Sequence, residues 1–238
     1  MNNFKVFSYK SLDSTNAKAK DFIKKGLSNL VVAADKQNKG KGRFKRKWSS
    51  EAGGLYMTIS IKEDDLSRIK YLTLMASLSV NLVLKKLKFK ALVKWPNDVL
   101  VDNKKICGIL TETIFGKESY ALVGIGLNVN QARFPKSLEK KATSLFLESN
   151  KQFNIKKILK SIMKEFENLY KSYNNERYDK IISLWKKNSH TLGKQVKVKS
   201  LSMTYIGKAV SIDKDCNLVL KLKNGNLKKI IEGDISIV

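Results

Sequence analysis

The sequence predicts an α+β protein: a mixed β-sheet domain with helices packed on one face over residues 1–190, then a small β-barrel over residues 191–238. Three observations carry this reading. Short alternating or β-branched runs are interleaved with segments of helical spacing; two long stretches repeat apolar residues every three to four positions; after Gly193 that spacing gives way to short alternating strands.

Residues 4–9 alternate apolar and polar side chains like a half-buried strand. SLDSTN at 11–16 offers hydroxyl and carboxylate caps for a helix over about 16–25, stopped by Gly26. The β-branched run 30–34 reads as a buried strand feeding a basic loop, and 55–61, entered through Gly53 and Gly54, as its neighbour. The connection between them is long, as functional or mobile loops are. Residues 66–87, opened by Asp64 and Asp65, place Leu72, Met75, Ala76, Ser79, Leu82 and Val83 near helical spacing and read as core scaffolding. A hairpin follows, 92–95 against 99–101, broken by Pro96, with turns at Asn97-Asp98 and Asp102-Asn103. Residues 104–115 and 120–128 form a second strand pair, in which Gly124 and Gly126 mark close approach by backbone or ligand. Helical spacing returns over 155–188, and four short strands, 195–199, 204–212, 218–222 and 235–238, make the barrel.

Composition removes several function classes. The 238 residues contain no run of eighteen apolar residues and no basic-then-apolar leader, so the expectation is a cytoplasmic protein without a membrane span. Cys107 and Cys216 lie far apart and His190 is the single histidine, which argues against a disulfide framework or a Cys/His zinc site. His190 reads as a surface residue near the domain boundary, with nothing spaced to orient it as a base. The formal charge of +26 would suit a nucleic-acid partner, but lysine is spread along the whole chain and arginine appears only five times. No specific nucleic-acid partner is expected, only weak, salt-sensitive binding.

The chemistry gathers in ADKQNKGKGRFKRKW at 34–48. Gly40 and Gly42 alternate with Lys41 and Arg43, so backbone approaches a ligand closely while cations supply donors to anionic oxygens. The spacing matches neither the phosphate-binding loop of nucleoside triphosphatases nor the dinucleotide fingerprint. A solvated basic loop is the plainer alternative. Ser14 and Thr15 are equally good helix caps, and Trp95, Pro96 and Asn97 a packed aromatic and a turn.

Five stretches nevertheless occur in a fixed order: DSTN at 13–16, GKGRFKRKW at 40–48, KWPND at 94–98, KKICGIL at 104–110 and GIGLNVN at 124–130. Together they resemble the biotin–protein ligases, and GKAVSID at 207–213 with EGDISIV at 232–238 resembles that family's SH3-like C-terminal domain. The resemblance implies the class II synthetase-like biotinyl/lipoyl ligase fold. It also implies a two-step reaction, in which biotin and ATP give biotinyl-5′-adenylate and a lysine of a biotin carboxyl carrier domain then takes the biotinyl group. By this resemblance Ser14, Thr15 and Gln37 bind the biotin ureido ring, and Gly40, Lys41, Gly42 and Arg43 belong to the loop that folds over biotin and adenylate. Arg43 and Arg46 match its arginines nearest the phosphates, and Trp48 the tryptophan that closes it. Asn97 and Lys105 match the pair that holds the α-phosphate and the biotin carboxylate; Gly108, Gly126 and Asn128 match positions lining the biotin and adenosine pockets. Lys105, Arg43, Lys41 and Asn97 carry the catalytic expectation. Mg²⁺ would arrive with ATP, with Asp98 as an indirect partner.

Two departures stand out. Against the family pattern GRGRxGRxW, Lys41 replaces the first arginine and loses its bidentate fork, and Lys45 replaces the third glycine. Only twelve residues precede Asp13, so the expected form is the ligase without the DNA-binding domain that makes some members repressors. A homodimer also fits the resemblance, with residues 123–129 as the edge strand offered for pairing. Lipoate–protein ligase, a noncatalytic biotin-binding regulator and a basic nucleic-acid-binding module are the alternatives.

Overall fold

The computed structural model describes residues 4–200 and 203–238. In chain order the elements are β1 (Lys5–Tyr9), α1 (Thr15–Lys24), β2 (Leu30–Ala34), β3 (Leu55–Lys62), α2 (Ile69–Lys86), β4 (Ala91–Lys94), β5 (Asp98–Val101), β6 (Lys104–Ile114) and β7 (Tyr120–Leu127). Then come α3 (Lys136–Glu139), α4 (Leu145–Ser149), α5 (Ile155–Asn174), α6 (Tyr178–Lys187), β8 (Gln195–Lys199), β9 (Thr204–Ile212), β10 (Leu218–Leu222), β11 (Leu227–Ile230) and β12 (Asp234–Ile237).

The first seven strands form one sheet in the order β1-β2-β3-β7-β6-β5-β4, with β1 parallel to β2 and every other pair antiparallel. Because successive side chains on a strand point to opposite faces, the sheet has two distinct sides. Val31 and Ala33, Met57 and Ile59, Cys107 and Ile109, and Val123 and Ile125 point one way, into a core completed by α2, α5 and α6. The alternate residues point the other way. There α1 lies alone, its Ala19, Phe22 and Ile23 packed on Leu30, Val32 and Leu122. The long helices thus share one face, and α1 covers part of the other, leaving its remainder as the floor of a cavity.

The β2–β3 connection is the long basic loop, and Asp102 and Asn103 both take positive φ (47° and 65°) in the tight turn between β5 and β6. The last five strands form an antiparallel sheet in the order β11-β10-β9-β8-β12. Its buried residues, among them Val196, Val198, Leu218 and Leu220, continue the main core. The Trp95 indole donates to the Cys216 carbonyl at 3.0 Å, tying the two sheets together.

Two expectations are corrected. Residues 123–129 are not an edge: β7 pairs with β3 on one side and β6 on the other, so its backbone groups are spent within the sheet. His190 is not on the surface; it is 6% exposed, its Nε2 lying 2.8 Å from Asn103 Oδ1, because the chain at Ser189 bridges to β4 at Val93 and draws the imidazole under the β5–β6 turn. The sequence reading also passed over β11, α3 and α4. Three of the four β11 residues are exposed, so it lacks alternation, and the two helices are each a single turn.

Candidate active site

The uncovered part of the sheet floors a cavity of about 530 Å³. At one end lies a polar network of uncharged side chains, with the Glu112 carboxylate behind it. Ser14 caps α1 by accepting from the Ala17 N–H at 3.4 Å, so its hydroxyl hydrogen stays available to donate. Gln37 Oε1 accepts from the Thr15 backbone N–H at 2.8 Å and from the Thr15 hydroxyl at 3.1 Å, while its amide donates to Ser50 Oγ at 3.0 Å. Behind Thr15, the wholly buried Thr58 hydroxyl donates to Asn16 Oδ1, and the Asn16 amide donates to Glu112. Capping and lining are therefore the same residues, since the end of α1 opens onto the cavity.

The opposite end is cationic. Lys105 Nζ pairs with Asp98 at 2.6 Å and lies 5.1 Å from the centre of the Trp48 ring. Asn97 is fixed by its amide donating to the Ile109 carbonyl at 2.6 Å, and its Oδ1 accepts from Arg43 at 3.3 Å. Arg43 also donates to the Gly233 carbonyl at 3.3 Å, and Arg46 forms an ion pair with Asp234. The second sheet therefore reaches the site through the turn before β12. Burial lowers the Arg43 pKa, whereas the bond to Asp234 raises that of Arg46. Eight cationic side chains line the cavity against three carboxylates, Asp98, Glu112 and Asp234, so its field attracts anions.

Between the two ends, Gly108 and Gly126 face each other across β6 and β7, and Trp48 lies over them. A Cβ at Gly126 would stand 2.5 Å from Trp48 Nε1, and one at Gly108 3.0 Å from the ring. The two bare positions are what allow the indole to lie flat on the sheet. Asn128 sits at the rim with its amide on the Thr143 carbonyl at 2.9 Å, anchoring the segment whose Phe134 and Leu138 add apolar wall. That segment is further held by Lys105, whose N–H donates to the Lys141 carbonyl at 2.8 Å.

Ser14, Thr15, Gln37, Lys41, Arg43, Arg46, Trp48, Asn97, Asp98, Lys105, Gly108, Gly126 and Asn128 all line this cavity. Gly40 alone among the expected residues does not. A Cβ there would meet Ser50 Oγ at 2.3 Å, so Gly40 packs the base of the loop instead. Sequence reasoning missed Lys94, Glu112, Asp234, Lys140 and Lys141, all cavity-lining. Alternation on β4 and β6 would have shown Lys94 and Glu112 on the floor; Asp234 arrives from the second sheet, for which local sequence carries no signal.

A family model described as the biotin/lipoate A/B protein ligase family matches residues 8–130, and one described as the biotin protein ligase C-terminal domain matches residues 191–238. The chain belongs to the biotin/lipoate A/B protein ligase family. The cavity described above is formed largely within the matched segment, with Asp234 supplied by the C-terminal one. Among relatives, the bifunctional ligase/repressor BirA of Bacillus spizizenii is 34% identical over 214 residues, covering 87% of this chain and 66% of that protein. The biotin–[acetyl-CoA-carboxylase] ligase of Mycobacterium tuberculosis is 27% identical over 217 residues, covering 88% and 79%. Among solved structures, the biotin protein ligase from Aquifex aeolicus in complex with biotin and ATP superposes with a TM-score of 0.87, 28% identical, over 98% of each chain. No helix among the described residues is long and apolar enough to cross a membrane.

Proposed function

We propose that the chain is a biotin–protein ligase that forms biotinyl-5′-adenylate from biotin and ATP and passes the biotinyl group to a lysine of a biotin carboxyl carrier domain. The observation that carries this reading is one cavity with a polar hydrogen-bonding end and a cationic end. A ureido ring needs both donors and acceptors, and Ser14, Thr15 and Gln37 present both. The dithiolane of lipoate has no N–H or C=O to match them, and leaving such groups unpaired costs about 1–3 kcal/mol each. The names of the relatives point the same way.

In the first step a biotin carboxylate oxygen bonds to the α-phosphorus, the bond from that phosphorus to the α,β-bridging oxygen breaks, and its electron pair leaves with pyrophosphate. Two anions must meet, so Lys105 and Arg43 neutralise the carboxylate and the α-phosphate as charge shifts, with Asn97 holding Arg43 in place. Lys41 adds charge at the rim and Arg46 is steadied by Asp234. Trp48 gives the adenine a flat apolar face. In the second step the neutral amine of the carrier lysine attacks the acyl carbon, the bond to the phosphate oxygen breaks, AMP departs and the new amide nitrogen loses a proton to solvent. Mg²⁺ enters with ATP. No group of three metal-ligating side chains occurs among the described residues, and Asp98 is already paired with Lys105, so phosphate oxygens would be the metal's main ligands.

The test is ATP–pyrophosphate exchange dependent on biotin, run beside lipoate and beside Lys105→Ala. Exchange with biotin alone, reduced about 10²–10³-fold in the variant, is expected. Exchange with lipoate alone would move the assignment to the sister activity, and silence with both would remove the ligase reading.

A further inference from the structure

Asn16 of DSTN and Gly124 of GIGLNVN stand in motifs, yet the adenylation chemistry uses neither. They meet on the cavity floor. Gly124 of β7 lies between Thr58 of β3 and Leu110 of β6, and a Cβ there would stand 2.6 Å from Asn16 Oδ1. The bare position is the seat of the Asn16 amide. Glu112, two residues beyond Leu110 on the same face of β6, accepts from the amide nitrogen at 2.5 Å, and Thr58 Oγ stands 2.5 Å from the amide oxygen. Thr58 Oγ is also 2.8 Å from Thr15 Oγ. Side chains from β6, α1 and β3 thus form one relay, running Glu112, Asn16, Thr58, Thr15.

Its direction is set from the Glu112 end. A carboxylate only accepts, so the Asn16 nitrogen faces Glu112 and the amide oxygen is left for Thr58. That oxygen also only accepts, so it takes the single Thr58 hydrogen. Thr58 Oγ is then an acceptor towards Thr15, and Gln37 Oε1, 3.1 Å from the Thr15 hydroxyl, accepts as well. The Thr15 hydrogen is therefore spent inside the protein, and its oxygen turns lone pairs to the cavity. Ser14 beside it does the opposite, with its oxygen on the Ala17 N–H and its hydrogen free to donate. Thr58 is wholly buried, and Thr15 and Asn16 are only 3% and 9% exposed, so water does not supply substitute partners in the middle of the relay.

We propose that Glu112, Asn16 and Thr58 are positioning residues that set ligand selection. Acting through one another, they hold Thr15 as an acceptor, and this end of the cavity then chooses a ligand that brings an N–H to it. This rests on the biotin reading above, in which that N–H belongs to the ureido ring. No proton is transferred; the relay fixes which atom donates and which accepts.

Titration calorimetry of the full chain with biotin, and with the cyclic carbonate analogue in which oxygen replaces both ureido nitrogens, tests this without reference to turnover. The variants are Thr58→Val, which keeps the shape and cuts the relay, Glu112→Gln, whose amide allows either direction, and the two together. Thr58→Val is expected to weaken biotin about tenfold and the carbonate less than about twofold, because the carbonate has no N–H for Thr15 to receive. Glu112→Gln is expected to weaken biotin about threefold alone, and not at all in the Thr58→Val background, since a relay already cut has no direction left to lose. Glu112 is exposed, so its substitution reports the same loss of discrimination without disturbing the core. Equal weakening of both ligands, a biotin affinity within about twofold of the unmodified chain in Thr58→Val, or effects of the two substitutions that multiply would each overturn the assignment. Absence of biotin binding in the unmodified chain would instead overturn the ligase reading, and this assignment with it.

Discussion

Lys45 takes φ of 58° and Phe44 before it 54°, both in the left-handed region that L side chains enter at a cost of about 1–2 kcal/mol. The family pattern has glycine at the first of these positions. The tight turn that joins Arg43 to Arg46, closed by the Gly42 N–H on the Arg46 carbonyl at 2.7 Å, is thus retained here with a side chain where none is favoured. Lys45→Gly is expected to relieve about 1 kcal/mol of strain in the folded loop and to slow release of bound adenylate about fivefold. The half-life of the enzyme–adenylate complex after gel filtration reads this directly, and an unchanged half-life would mean that the turn bears no strain relevant to retention. Residue chemistry of this kind is well displayed in the sequence: DSTN, KWPND and the basic loop each carry their donors in adjacent positions. Lys94 was hidden in plain view, because a lysine at a strand end reads as a solvated charge until register places it on the floor of a cavity.

At the scale of elements, β6 and β7 form a platform rather than a wall. Gly108 and Gly126 are directly paired, and Trp48 from the loop rests on both, so loop and sheet are one unit. Gly126→Val would place a branched side chain where the indole lies. The expected outcome is a fold of near-native melting temperature that has lost at least tenfold in biotin-dependent exchange, and exchange at the unmodified rate would show that the indole does not need this seat. Glycines within a strand pointed to such an approach from sequence alone, but not to what approaches. The position of β7 was misjudged for a related reason. Residues 123–129 look like a strand of unknown neighbours, and only the pairing with both β3 and β6 shows that it is central. β11 escaped notice because Leu227, Lys228 and Lys229 are all exposed, so no hydrophobic alternation marks it.

For the whole molecule, the second sheet is joined to the first through a continuous core and through the Trp95 contact, and His190, in the connection leading to β8, is held against the β5–β6 turn by Asn103. Burial holds the His190 pKa below its ordinary 6.5, with Lys194 and Lys94 adding repulsion. The unfolded chain then binds the proton more tightly than the folded one, so stability is full above about pH 6.5 and declines as pH falls below it. Melting temperature measured from pH 7.5 to pH 5 should drop more steeply for the unmodified chain than for His190→Gln, whose amide keeps the bond to Asn103 without titrating; parallel curves would remove this group from the pH dependence. Long-range contacts of this kind, like that of Arg46 with Asp234 across most of the chain, are set by tertiary packing and leave no local trace in the sequence.

The central claim is that one cavity joins a polar recognition network to a cationic ligation site and delivers biotin to protein. The intact mass of a biotin carboxyl carrier domain, after incubation with the chain, biotin, ATP and Mg²⁺, tests it most directly. Gain of a single biotinyl group, lost when the carrier's acceptor lysine is replaced by arginine, is the predicted result. A carrier of unchanged mass, under conditions where a known ligase modifies it fully, would contradict the account.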